Sequence, residues 1–124
     1  MNAFRPVDLL ATEASGDGVA WSAAPEGVNA NLVVLGPGAA IGRHRNDEVD
    51  VLVVVLDGSV TVTVGGSAHD VPAGSAGVVP RGSDRSIRAG AGGARYLSIH
   101  RTRGSIGLRP RPGGQPGGAG RQSG

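Results

Sequence analysis

Short apolar segments separated by glycine and proline turns run along most of the chain. The clearest is 60–64, in which Val and Thr alternate with the period of two that a half-buried strand requires. The unbroken apolar run 51–56 before it predicts a strand buried on both faces, ended by Asp57-Gly58, and Gly65-Gly66 after it is a hairpin signal. Further strands are predicted over 7–13, 19–23, 28–35, 67–71, 76–79, 86–89 and 95–101, the last two separated by the turn 90–93. No segment has a convincing helical stripe, so the pattern predicts an all-β barrel or sandwich.

The pattern also divides the chain into three parts. We predict N-terminal strands over 1–27 that pack on the barrel or on a partner subunit, and the barrel itself over 28–103. From residue 104 the composition changes to Gly, Pro, Arg, Gln and Ser. Such a segment cannot bury enough apolar surface to offset the entropy lost on ordering, so 104–124 is predicted to be a disordered tail.

Composition narrows the classes that remain. Phe4, Trp21 and Tyr96 are the only aromatic residues, so the core is predicted to consist of Val, Leu, Ile and Ala. Cysteine is absent, which excludes disulfides and thiolate metal sites. The sequence has no apolar run near the ~20 residues of a membrane span and no signal-peptide core. We therefore expect a cytoplasmic protein with no membrane contact.

The charge is unevenly distributed although the net charge is only +2. Residues 1–80 carry three Arg against nine acids (3 − 9 = −6), and residues 81–124 carry nine Arg against Asp84 alone (9 − 1 = +8). The basic half could bind nucleic acid. Alternatively, the two halves pair within one fold, and we favour this interpretation because few aromatic residues are available to stack on bases.

A polar cluster precedes the apolar run and holds the candidate site residues. His44, Asn46, Glu48 and Asp50 share strand parity, so an extended chain would place all four on one side. Together they could bind a hard cation or form a solvated mouth with an ion-pair network. His69 is expected at the surface, and the parity of His100 in the last strand stays open.

Two spaced motifs accompany this cluster. In the first, Gly38 is followed after five residues by His44-Arg45-Asn46 and later by Gly58. In the second, Gly74 is followed after five residues by Pro80-Arg81-Gly82-Ser83-Asp84-Arg85. With these motifs the chain resembles a small single-domain cupin. The resemblance implies a jelly-roll barrel, the double-stranded β-helix of that superfamily.

The same resemblance indicates a degenerate metal site. In cupins, two His and a Glu of the first motif and a His of the second bind one divalent metal, and these positions are His44, Asn46, Val51 and Arg85 here. We therefore expect no metal cofactor. Arg85, helped by Arg81, is predicted to pair with Asp50 or Glu48 where cupins hold the ion. His44, Asn46 and Arg85 would then orient a small polar or anionic ligand inside the barrel.

Two alternatives stay open. The first is a metal-dependent cupin enzyme of the dioxygenase, isomerase or epimerase type, with a divalent ion bound by His44, Glu48 and Asp50 and with His100 as a further candidate. The second is a structural homodimer with an inactive pocket. Small cupins often dimerise through N-terminal strands, and an open sheet edge gives a physical reason for it, so a homodimer is expected in either case.

Overall fold

Seven antiparallel strands make up the fold, and the computed structural model describes residues 4–102. They are β1 (Gly18–Ala23), β2 (Val28–Leu35), β3 (Ala40–Arg45), β4 (Val51–Val64), β5 (Ser67–Pro72), β6 (Ala76–Val79) and β7 (Asp84–Arg101). The predicted strands over 28–35 and 76–79 match the observed bounds, and the predicted hairpin joins β4 to β5. Within residues 4–102 there is no helix long and apolar enough to cross a membrane. The predicted disordered tail over 104–124 lies outside the described residues.

Two long strands, β4 and β7, close the barrel. The first half of β4 pairs with β6 and its second half with β5. The first half of β7 pairs with β3 and its second half with β2, and β4 and β7 pair with each other along most of their lengths. Each long strand therefore belongs to two sides of the molecule. This is the all-β jelly-roll arrangement that the sequence predicts.

Both long strands continue through a glycine of positive φ instead of ending there. Gly58 in β4 and Gly93 in β7 have φ angles of +71° and +81°, which glycine adopts at little cost. Residues 57 and 58 were expected to end a strand, and 90–93 to separate two strands. Both expectations are wrong, because the bends keep the ladder between β4 and β7 intact apart from local register shifts.

The apolar run of β4 is buried on one face only. Val51, Val53 and Val55 are in the core, whereas Leu52 is 36% exposed. The prediction of burial on both faces is therefore wrong. The expectation of a purely aliphatic core is also wrong, because Tyr96 is 0% exposed and is the largest fully buried side chain of the described part of the chain.

The segment before β1 is not the strand predicted over 7–13. The Asp8 carboxylate accepts a hydrogen bond from the Leu10 backbone N–H (3.0 Å) and shapes a turn. Arg95 Nη1 donates to the carbonyl oxygens of Leu9 (2.9 Å) and Thr12 (2.8 Å). The segment is thus tied to β7 by a side chain. The homodimer stays a prediction.

Candidate functional site

Two loops meet at one end of the barrel, and we call residues 46–50 and 80–83 together the barrel mouth. The Gly82 backbone N–H donates to the Asn46 carbonyl oxygen (2.7 Å). The Arg81 backbone N–H donates to Asp50 Oδ1 (2.8 Å). Since β3 ends just before the first loop and β7 begins just after the second, the mouth places the end of β3 beside the start of β7.

His44 reaches this end because β3 contains a bulge. Ile41 pairs with Ile87, but the next paired residue is His44, opposite Arg85, so β3 has one more residue than β7 between these pairs. His44 Nδ1 lies 3.0 Å from the Gly42 carbonyl oxygen. Because a carbonyl can only accept, Nδ1 carries the proton, and Nε2 is free to accept from another residue. His44 is half-buried.

Arg85 donates the hydrogen bond that His44 Nε2 accepts. The Arg85 side chain is only 2% exposed, and its Nε donates to His44 Nε2 at 3.2 Å. The acids predicted to face Arg85 have other surroundings: Asp50 accepts from the Arg81 amide, and Glu48 is exposed. A permanently charged guanidinium is therefore held inside the barrel beside a neutral imidazole.

Asn46 shapes the mouth. Its Oδ1 accepts from the backbone N–H groups of Glu48 (2.8 Å) and Val49 (3.3 Å), as in an Asx turn. Residues 46–50 consequently form a loop, and β3 ends at Arg45. The expectation that an extended chain projects His44, Asn46, Glu48 and Asp50 to one side is wrong for this reason.

We expect Asn46→Ala to lower the free energy of unfolding by about 1 kcal/mol, because the turn loses a side-chain acceptor that serves two amides. Asn46→Asp keeps the acceptor and is the matched control. Urea denaturation of the three proteins measures the difference. Unchanged stability in Asn46→Ala, combined with weaker binding of an anion, would instead make Asn46 a ligand-orienting residue, as the sequence predicts.

The donor set at the family metal positions does not fit a divalent ion. Val51 stands in the core where the family has Glu, and Arg85 brings a cation where the family has His. Among residues 4–102, no three His, Asp or Glu side chains are grouped so as to bind a metal. The alternative set of His44, Glu48 and Asp50 is therefore not assembled in the described structure.

The inner face of β7 carries polar side chains that the sequence analysis did not place. Tyr96, Ser98 and His100 are 0%, 1% and 8% exposed, whereas Leu97 and Ile99 between them face outward and are half-buried. His100 thus faces the barrel interior, which settles its parity. The hydrophobic pattern alone predicts that Leu97 and Ile99 face the interior and that Tyr96 faces outward. No signal in the sequence therefore indicated Tyr96 as a residue of the barrel interior.

Tyr96 lies near Arg85 in a dry environment. Burial raises the pKa of the Tyr96 hydroxyl well above its ordinary value, and the positive charge of Arg85 lowers it by less. Among the described residues, the hydroxyl has no hydrogen-bond partner. It is therefore a protonated donor at neutral pH.

A barrel of this topology, with residues of both motifs meeting at its mouth, defines a cupin-type domain. The cupin-domain family model matches residues 31–100, which is more than half of the chain, and the chain belongs to the cupin family. No curated protein matches the chain.

Several solved structures are similar. KdgF from Halomonas sp. is 21% identical, with 69% of this chain and 78% of that chain covered and a TM-score of 0.62. TT1209 from Thermus thermophilus is 24% identical, with 81% and 99% covered and a TM-score of 0.69. Bacillus subtilis oxalate decarboxylase, which has Mn(II) centres, is 28% identical, with 65% of this chain but 22% of that chain covered and a TM-score of 0.57. The first two likenesses show the fold alone.

Proposed function

We propose that this cupin domain binds a small oxyanion, a carboxylate or a phosphate, inside the mouth end of its barrel. Arg85 would supply the charge, and His44 would hold the guanidinium in place. This function needs no metal at the positions that bind one in other cupins.

The polar inner face of β7 is the observation that carries the proposal. A barrel selected only for stability gains most by burying Leu97 and Ile99, because apolar burial contributes about 25 cal/mol per Å². Here Tyr96, Ser98 and His100 are buried instead, and the Tyr96 hydroxyl has no hydrogen-bond partner among the described residues. A buried polar group without a partner costs free energy. Polar groups gathered in a mainly apolar wall are typical of small-molecule sites.

The positive charge of Arg85 indicates that the ligand is an anion. Arg is charged at every physiological pH, and its planar fork matches the oxygens of carboxylate and phosphate groups. In the low-dielectric interior its attraction for an anion is stronger than at the surface. The bond from Nε to His44 leaves the guanidinium oriented by a neighbouring strand, which lowers the entropy that a ligand must offset.

A thermal-shift screen of the full chain tests the proposal. We expect malonate or inorganic phosphate to raise the melting temperature, because a ligand that binds only the folded state stabilises it. Malonamide, which has the same skeleton as malonate without charge, is the control and should give no shift. Equal shifts with malonate and malonamide would contradict the proposal.

Metal analysis of the same preparation addresses the competing hypothesis of a metal-dependent enzyme. The metal-enzyme hypothesis would be favoured if stoichiometric Mn, Fe, Ni or Zn survived dialysis and was lost in His44→Ala. That result would refute a metal-independent oxyanion site. Malonate binding that persists after treatment with EDTA would support the metal-independent site.

A further inference from the structure

The Tyr96 hydroxyl is a buried polar group for which the described part of the fold supplies no hydrogen bond. The residue is 0% exposed, and its hydroxyl has no hydrogen-bond partner among residues 4–102. An unsatisfied buried hydroxyl costs free energy that a phenylalanine at the same position would avoid. Packing alone therefore gives no reason for tyrosine.

The position of the hydroxyl suggests a reason. Tyr96 faces the interior on β7, the strand that also carries Arg85, and Arg85 is close enough for its charge to act on the hydroxyl. Two donors of different kinds, a cation and a neutral O–H, are thus both buried on β7 and near enough to interact. A carboxylate or phosphate has at least two acceptor oxygens and can accept from both donors at once.

We propose that Tyr96 is a ligand-binding residue whose hydroxyl donates to the oxyanion that Arg85 binds. The inference rests on the proposed function and adds a specificity-determining residue to it. The ordinary pKa of tyrosine already leaves the hydroxyl protonated at neutral pH and burial raises that pKa further, so the hydroxyl has a proton to donate. A ligand oxygen at that point accepts this hydrogen bond, whereas a ligand without an acceptor there leaves the hydroxyl unpaired.

The test compares Tyr96→Phe with the wild-type full chain. We expect the dissociation constant for malonate to rise roughly tenfold or more, because a hydrogen bond to a charged group is lost. We also expect the melting temperature of the ligand-free variant to rise by roughly 4 to 8 °C, because the unsatisfied hydroxyl is removed. Tyr96 is the only tyrosine in the chain, so a change in tyrosine absorbance on malonate binding to the wild type reports on this hydroxyl alone.

Thr61→Val is the matched control, because it removes a hydroxyl that already has a partner: Thr61 Oγ1 donates to Asp70 Oδ1 at 2.9 Å. It should leave malonate affinity and tyrosine absorbance unchanged and should not raise the melting temperature. Unchanged malonate affinity in Tyr96→Phe, with binding still lost in Arg85→Met, would overturn the inference and leave the proposed function intact. If neither variant changes malonate binding, or if the wild type binds neither malonate nor phosphate, both fail.

Discussion

Replacement of Gly58 by alanine is expected to lower the free energy of unfolding by about 3 kcal/mol or more. Gly58 has a φ of +71°, where an alanine is strained by about 1 to 2 kcal/mol. A Cβ at this position would also lie against the Gly93 carbonyl oxygen and 3.1 Å from the Ala94 Cα, inside van der Waals contact. Both neighbours are backbone atoms of β7, so relief requires the two long strands to separate, and overpacking of this kind adds about 1 to 3 kcal/mol.

Alanine substitutions at two other glycines distinguish the backbone strain at Gly58 from the steric clash with β7. Gly66 has a φ of +88° and nothing within 4 Å of the position that an added methyl group would occupy, so Gly66→Ala should show the backbone strain alone. Gly77 lies in β6 without a positive φ and with the same open space, so Gly77→Ala should be neutral or slightly stabilising. Thermal unfolding of the three variants gives the comparison. A loss in Gly58→Ala no greater than in Gly66→Ala would show that the bend tolerates a methyl group.

The sequence predicts most of the strands because their signals are local. The Val/Thr alternation and Gly65-Gly66 determine the hairpin of β4 and β5, and both glycines do have positive φ. The bends at Gly58 and Gly93 could not be predicted, since a glycine between two apolar runs is equally compatible with a turn and with a bent strand. What distinguishes them is the partner strand, and the pairing of β4 with β7 joins residues far apart in sequence.

The site was predicted less completely than the fold. Motif spacing brought His44 and Arg85 together correctly, and the structure pairs them in register. Motif spacing could not reveal the Asx turn of Asn46, which follows the end of β3. Because of this turn the chain is not extended over 46–50, and the alternation that would place His44, Glu48 and Asp50 on one side is lost. Tyr96 was missed because inward parity on β7 runs against hydrophobicity. A site of this kind departs from the packing pattern that sequence analysis relies on.

The second large effect is expected at Arg85. Arg85→Met should weaken malonate binding roughly 10- to 150-fold, because a charged hydrogen bond contributes about 1.5 to 3 kcal/mol. Methionine retains much of the apolar stem and removes a charge that is costly to bury, so the barrel should stay folded. Arg85→Lys keeps the charge but not the fork or the Nε donor to His44, and we expect an intermediate loss. Isothermal titration with malonate measures all three affinities.

Arg88 supplies the matched control for charge. It lies on the same strand three residues further on but is exposed, and its Nη1 donates to the Gly38 carbonyl oxygen (2.9 Å) at the surface. Arg88→Met removes the same unit of charge from the opposite face of β7, where solvent and salt screen it. If the barrel interior is the binding site, Arg88→Met should change malonate affinity by less than about twofold at physiological salt. Equal losses in Arg85→Met and Arg88→Met would mean that malonate responds to the overall charge of the basic half of the chain, and the buried guanidinium would then have no special part in binding.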